Sequence, residues 1–180
     1  DLYWRANLRR LEVEPLRDSL LLAAGRLTFD RPPGLSVTGI GGKGKGGAVR
    51  SLVTVDSPYR TVYLPVLRAL TPDLYTTFDF PDPCQLAGRR EVTTVAPQGL
   101  FFLNNELVAD CARRAAAAVL TAKPAERMTA AYTTVLGRPP TAAEAADAAK
   151  LLRDVGGDEA ARWAVLVQGL TASAEFRYVR

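Results

Sequence analysis

The chain has 180 residues, 48% of them apolar and 23% charged, which suits one cored domain and is too apolar for a disordered tail. It has no histidine, so its own side chains cannot build a Ser-His-Asp or Cys-His nucleophile or a histidine-ligated zinc or iron site. The net charge is +4, and the excess sits in residues 1–60, where 10 Lys and Arg face 6 Asp and Glu; the basic residues are scattered among acids, as on a solvated face rather than an anion-binding stripe.

In chain order, Leu11, Leu16, Leu20, Ala23, Ala24 and Leu27 recur near helical spacing and predict a first helix within residues 1–27, with Gly25 as its stop. Pro15 either kinks that helix or marks its true first turn. Residues 28–60 form a Gly/Pro-rich loop region, in which Leu35–Thr38 and Val49–Val55 flank the glycine run Gly39–Gly47 as strands of a small hairpin. Residues 61–180 are the predicted helical core. Pro65 opens a short helix to Leu70, and Pro72, with Thr71 as cap, opens a second to Phe78. Phe80–Arg90 reads as loop. Thr94 then caps a helix with Pro97 in its first turn; Asn104 or Asn105 breaks and restarts it through Ala122. Ala125–Leu136 is a further helix, stopped by Gly137. Thr141 and Glu144 have capping-box spacing, and Gly156-Gly157 ends the helix they start. Asp158 caps the last long helix, carrying Trp163, Val165, Leu166 and Leu170, and Ala174–Tyr178 makes a final turn. The predicted fold is mainly α: a single domain, residues 1–180, built as an irregular helical bundle with long loops and room for one small β-hairpin.

No apolar run approaches the roughly 18 residues of a membrane span. Asp1–Arg5 lacks the apolar stretch of a signal peptide, and a start on Asp1 is expected of a fragment truncated at its N-terminus. Gly39–Gly46 nearly spells a phosphate loop, but Gly46 replaces the hydroxyl residue and Ala48–Val55 is extended in character, so a surface loop is the better reading. Arg10, Glu14 and Arg17 fall at i, i+4 and i+7, and Arg9 and Glu12 at i, i+3, which predicts an ion-pair ladder on one helical face rather than general acid/base work by Glu12 or Glu14. Asp79 and Asp82 flank Pro81, where carboxylates make Asx-turns and caps more readily than a calcium or acid/base site. Arg89 and Arg90 precede the Thr93-Thr94 cap; they could receive a partner's carboxylate, although a salt bridge to Asp79 or Asp82 is the stronger expectation. Cys84 and Cys111 could pair in an oxidising compartment, but two separate buried thiols are the first expectation. No metal site is predicted, and C-x-x-C-H, the attachment motif for covalent haem, is absent.

Several motifs occur in a fixed order: R-R-L-E-V-E-P-L-R-D from Arg9, R-T-V-Y-L-P-V from Arg60, F-D-F-P-D-P from Phe78, G-R-R-E-V-T-T-V-A-P-Q-G-L-F-F-L-N-N from Gly88, A-Y-T-T-V-L-G-R-P-P-T from Ala131 and S-A-E-F-R-Y-V from Ser173. Together they resemble the planctomycete-type PSD-one domain, domain of unknown function 1553, over nearly the whole chain. Pro15 and the Gly39–Gly47 loop depart from that pattern. The resemblance implies an extracytoplasmic C-terminal domain of a large exported protein, often with a c-type cytochrome domain upstream. Haem would then belong to an upstream domain or partner, and this chain holds no cofactor. The resemblance carries no catalytic residue.

The expected role is docking, to other domains of the parent protein or to a c-type cytochrome. Arg60, Tyr63, Arg89, Arg90, Gln98 and Asn104 are the candidate interface. The alternative is an oxidoreductase or glycan-degrading active site that Glu12, Asp79 and Asp82 complete together with upstream domains. Nucleic-acid binding is the weakest reading, because aromatic residues do not interleave with basic ones.

Overall fold

The computed structural model describes residues 7–32, 56–68 and 71–179. Among them the fold is mainly α, as the apolar spacing predicts. The first helix, α1, spans Val13–Ala23 and buries Val13, Leu16, Leu20 and Leu21. Pro15 occupies its first turn, where a missing amide costs nothing. Gly25, at φ +65°, leaves the helix through the left-handed region.

No helix forms at Pro65 among the described residues; a 3-10 turn, Thr61–Tyr63, precedes it instead. Helix α2, Asp73–Thr77, is one residue shorter at each end than predicted, and Pro72 rather than Thr71 stands at its N-cap. The segment after it is loop, with Asp79 in the left-handed region at φ +59°. Helix α3 runs Ala96–Asn104, with Val95 rather than Thr94 as its cap. Asn105 both ends α3 and starts α4, Glu106–Leu120, its side chain accepting from the Leu107 amide at 2.9 Å. Helix α5, Arg127–Leu136, ends at Gly137, whose φ of +73° suits the left-handed C-cap.

Helix α6, Ala142–Asp154, begins with the predicted capping box: Thr141 Oγ1 accepts from the Glu144 amide and Glu144 accepts from the Thr141 amide. Asp158 caps α7, Glu159–Ala172, through the Ala161 amide, and Ser173 caps α8, Ala174–Arg177, through Phe176. Helices α4 and α7 share the most extensive packing between described elements. Small residues on α4 (Ala112, Ala115 and Ala116) let Trp163, Leu166 and Val167 of α7 come close. Phe78, Phe102 and Phe176 carry the core toward the N-terminal segments through edge-to-face ring contacts at 5.7 and 6.2 Å.

The small sheet joins distant parts of the chain. Strand β1, Arg9–Arg10, pairs antiparallel with β2, Tyr178–Val179, and the Leu11 amide donates to Arg177 at 2.7 Å. The segments expected to form a hairpin, Leu35–Thr38 and Val49–Val55, lie outside the described residues, as does the glycine run between them. No described helix is long and apolar enough to cross a membrane.

Candidate functional site

The polar residues of the N-terminal motifs pair with one another across long stretches of chain. The predicted ladder on α1 does not form, because α1 begins only at Val13 and leaves Arg9 and Arg10 on β1. Arg10 instead ion-pairs with Asp79, and its guanidinium lies 5.6 Å from the Phe78 ring centroid. Asp79 also accepts from the Thr93 amide and hydroxyl, both at 2.8 Å. Three donors thus converge on one carboxylate in the left-handed turn.

Glu12 and Glu14 do not bind the arginines of their own segment. Arg90 reaches both, donating to Glu12 at 2.9 Å and through two nitrogens to Glu14 at 2.7 and 2.6 Å. The expected bridge from Arg90 to Asp79 or Asp82 is therefore absent, for these two glutamates present a closer fork. Burial pushes the Glu14 carboxyl up, but hydrogen bonds from Arg90 and the backbone, with the Arg90 charge, bring it below its ordinary value. Hydrogen bonding to Glu14 in turn raises Arg90.

Arg17 is fully buried. It donates to Asp18, to Thr61 Oγ1 at 3.0 Å, and to the carbonyls of Ser57 and Tyr59. Asp18 accepts from the Thr61 amide at 2.9 Å and its hydroxyl at 2.6 Å. One Arg-Asp pair on α1 thereby fixes the segment carrying the R-T-V-Y motif. Burial lowers the Arg17 pKa, with nearby Tyr75 and Asp18 acting against it.

These ties bring part of the predicted interface together. Arg60 flanks the 3-10 turn, half-exposed, 3.9 Å from Asp18, and Tyr63 ends that turn half-buried. The turn borders a groove of about 340 Å³ lined by Pro15, Val62, Leu64, Val66, Tyr75 and Phe80 together with Thr61, Glu12, Glu14 and Arg90. Val62 is 68% exposed and Val66 45%. Arg90 lies 5.5 Å from the Phe80 centroid and so joins the salt bridge to the apolar lining. Arg89 is exposed, makes no ion pair among the described residues, and shares an adjoining shallow groove with Arg90 and Val92.

Two predicted interface residues fall elsewhere. Gln98 is fully buried: its Nε2 donates to the Thr77 carbonyl at 3.1 Å and Thr93 Oγ1 at 3.2 Å. It shares the inner face of α3 with Phe102, four residues on, a spacing that could have placed it inside. Asn104 is exposed, but it closes its own helix by donating to the Leu100 carbonyl at 3.0 Å. Thr61 and Thr93 are central to the network, and the sequence reading gave neither that role; a single threonine carries no spacing signal.

The acids of the alternative site are dispersed in use. Asp82 makes the expected Asx-turn, accepting from the Cys84 amide at 2.8 Å and from Gln85. Glu12 and Asp79 are held by arginines. No cluster of three or more metal-ligating side chains occurs among the described residues. The cysteines are both free, so the bridge considered between them does not form: Cys84 is exposed on the loop, whereas Cys111 is buried on α4. Cys84 also departs from the expectation of two buried thiols. Burial pushes the Cys111 thiol up to about 11, which keeps it protonated and unreactive at neutral pH.

At the far end, Arg138 of the L-G-R-P-P-T motif clamps Glu144 and Glu175, joining the start of α6 to α8. Hydrogen bonds from Arg138, then from the Thr141 backbone and hydroxyl, bring Glu144 down to about 2.

The N-terminal pairs link R-R-L-E-V-E-P-L-R-D to R-T-V-Y, to F-D-F-P-D-P and to G-R-R-E-V-T-T, so the ordered motifs are the contacting parts of one scaffold. Residues 1–152 match the family described as PSD1, protein of unknown function (DUF1553). No curated protein and no solved structure matches the chain. Trp163, Leu166, Val167 and Phe176, beyond the matched residues, complete the core. The chain belongs to the DUF1553 family.

Proposed function

We propose that this domain is a non-catalytic docking module, and that the groove beside the 3-10 turn receives an apolar segment of another domain of the same exported polypeptide. The observation that carries the reading is the combination of exposed Val62 and Val66 with an Arg90 that is already ion-paired to both Glu12 and Glu14. An apolar segment can enter without breaking that pairing, whereas an anionic ligand would have to compete with the two glutamates for Arg90. A c-type cytochrome domain is one such neighbour, and covalent haem would reside there, since this chain has no C-x-x-C-H motif. Extracytoplasmic placement belongs to the same reading.

The experiment is site-specific photocrosslinking in the intact parent polypeptide, with the crosslinking side chain at Val62 or Val66 and a control at Lys123, which is exposed on another loop. Crosslinks to another domain from the valines and none from the control are expected. Equal yields from all three positions, or no interdomain product, would overturn the reading. If Asp82→Asn abolished an activity of the parent polypeptide while the crosslinks persisted, the shared-active-site alternative would replace it.

A further inference from the structure

The polar chain from Arg10 to Gln98 is sealed, and its two ends carry unpartnered atoms. The Arg10 side chain is 3% exposed and Gln98 0%. Arg10 gives Nη2 to Asp79, Asp79 accepts from Thr93, and Thr93 Oγ1 accepts from Gln98 Nε2, so the two residues are the ends of one network. At those ends Arg10 Nε and Nη1 and Gln98 Oε1 have no hydrogen-bond partner. They are the only buried side-chain atoms in that state among the described residues. Buried polar groups are nearly always satisfied, by protein or by ordered solvent.

The chemistry of the three atoms selects the ligand. Nε and Nη1 are donors and need an acceptor, whereas Oε1 is an acceptor and needs a donor. A halide could answer the guanidinium but could give nothing to Oε1, and Asp79 already balances the Arg10 charge. A metal cation would meet Oε1 but could not satisfy the two donors on Arg10. The burial leaves no way in for a larger organic group. Water both donates and accepts, and so can answer all three atoms.

We propose that ordered water completes this network, accepting from the Arg10 guanidinium and donating to the Gln98 amide oxygen. It thereby becomes part of the joint between β1, the turn at Asp79 and the first turn of α3. This site is separate from the groove, and it stands whether or not the docking reading holds.

The test is a crystal structure of the full chain at a resolution that shows ordered solvent, with a second crystal soaked in bromide. The expected result is water density within hydrogen-bonding distance of Arg10 Nε or Nη1 and of Gln98 Oε1, in every copy, with no anomalous bromide peak there. Magnetic relaxation dispersion gives an independent reading in solution. Gln98→Met, nearly isosteric but without the acceptor, should reduce the number of long-lived internal waters by at least one, with helicity by circular dichroism retained. A dry network, protein groups satisfying the three atoms, a bromide peak at the site, or an unchanged water count in a folded variant would overturn the proposal.

Discussion

The helices from Glu106 onward and the segments from Arg9 to Asn104 are held together in different ways. The C-terminal helices begin and end on signals a few residues long: Asn105, Thr141 with Glu144, Asp158 and Ser173 at starts, Gly137 at a stop. Their packing follows apolar spacing. In the described N-terminal part, a 3-10 turn, short helices and loops are pinned by side-chain pairs such as Asp18 with Thr61, 43 residues apart, Arg10 with Asp79, 69 apart, and Glu12 with Arg90, 78 apart. The first arrangement is robust to loss of one polar group. The second depends on buried arginines, where losing one partner strands another.

The comparison is broken most severely by removing the C-terminal helices. A chain ended after Asp154, close to the limit of the family match, lacks Trp163, Leu166, Val167, Leu170 and Phe176 as well as the partner of β1. It should show no cooperative thermal unfolding. Retention of a sharp transition would mean that α7 and α8 are an appendage.

Next in size is Arg17→Met. The substitution keeps much of the apolar stem but strands Asp18 and the carbonyls of Ser57 and Tyr59, a loss of about 3–5 kcal/mol for a buried charge pair broken on one side. Urea unfolding measures it, and a loss under about 1 kcal/mol would place Arg17 among ordinary surface pairs.

A smaller effect is expected at the C-terminal side. Thr141→Ala should cost about 1 kcal/mol, the usual worth of an N-cap, and leave the N-terminal network intact. The same corner carries a pH signature. Glu144 has its folded pKa lowered from 4.5 to about 2, so its contribution is present above 4.5 and is lost as pH falls through about 2. Glu144→Gln should flatten the acid limb of the stability profile in that window; an unchanged limb would assign it to other carboxylates.

The same contrast explains what could be read in the sequence. Helix limits at Gly25, Gly137, Thr141 and Asp158 were legible because a cap is a local event. The ladder expected of Arg10, Glu14 and Arg17 does not form, because helical spacing says nothing about where a helix begins. With the start at Val13, Arg10 turned to Asp79 and Glu14 to Arg90. Of the six interface residues, Arg60, Tyr63 and Arg90 gather near one groove, Arg89 lies beside it, Asn104 donates to the Leu100 carbonyl of its own helix, and Gln98 is in the core. Long-range polar partners leave no periodicity, so only the fixed order of the motifs signalled that these segments meet.

The central claim is that the N-terminal motif residues exist to hold one another. The most direct measurement is a double-mutant cycle on Arg10 and Asp79 by urea unfolding, using Arg10→Met and Asp79→Asn singly and together. The account predicts two destabilising single changes and a coupling energy of at least about 1 kcal/mol, the double variant losing less than the sum. Additive losses, or an Asp79→Asn variant as stable as the parent chain, would contradict it.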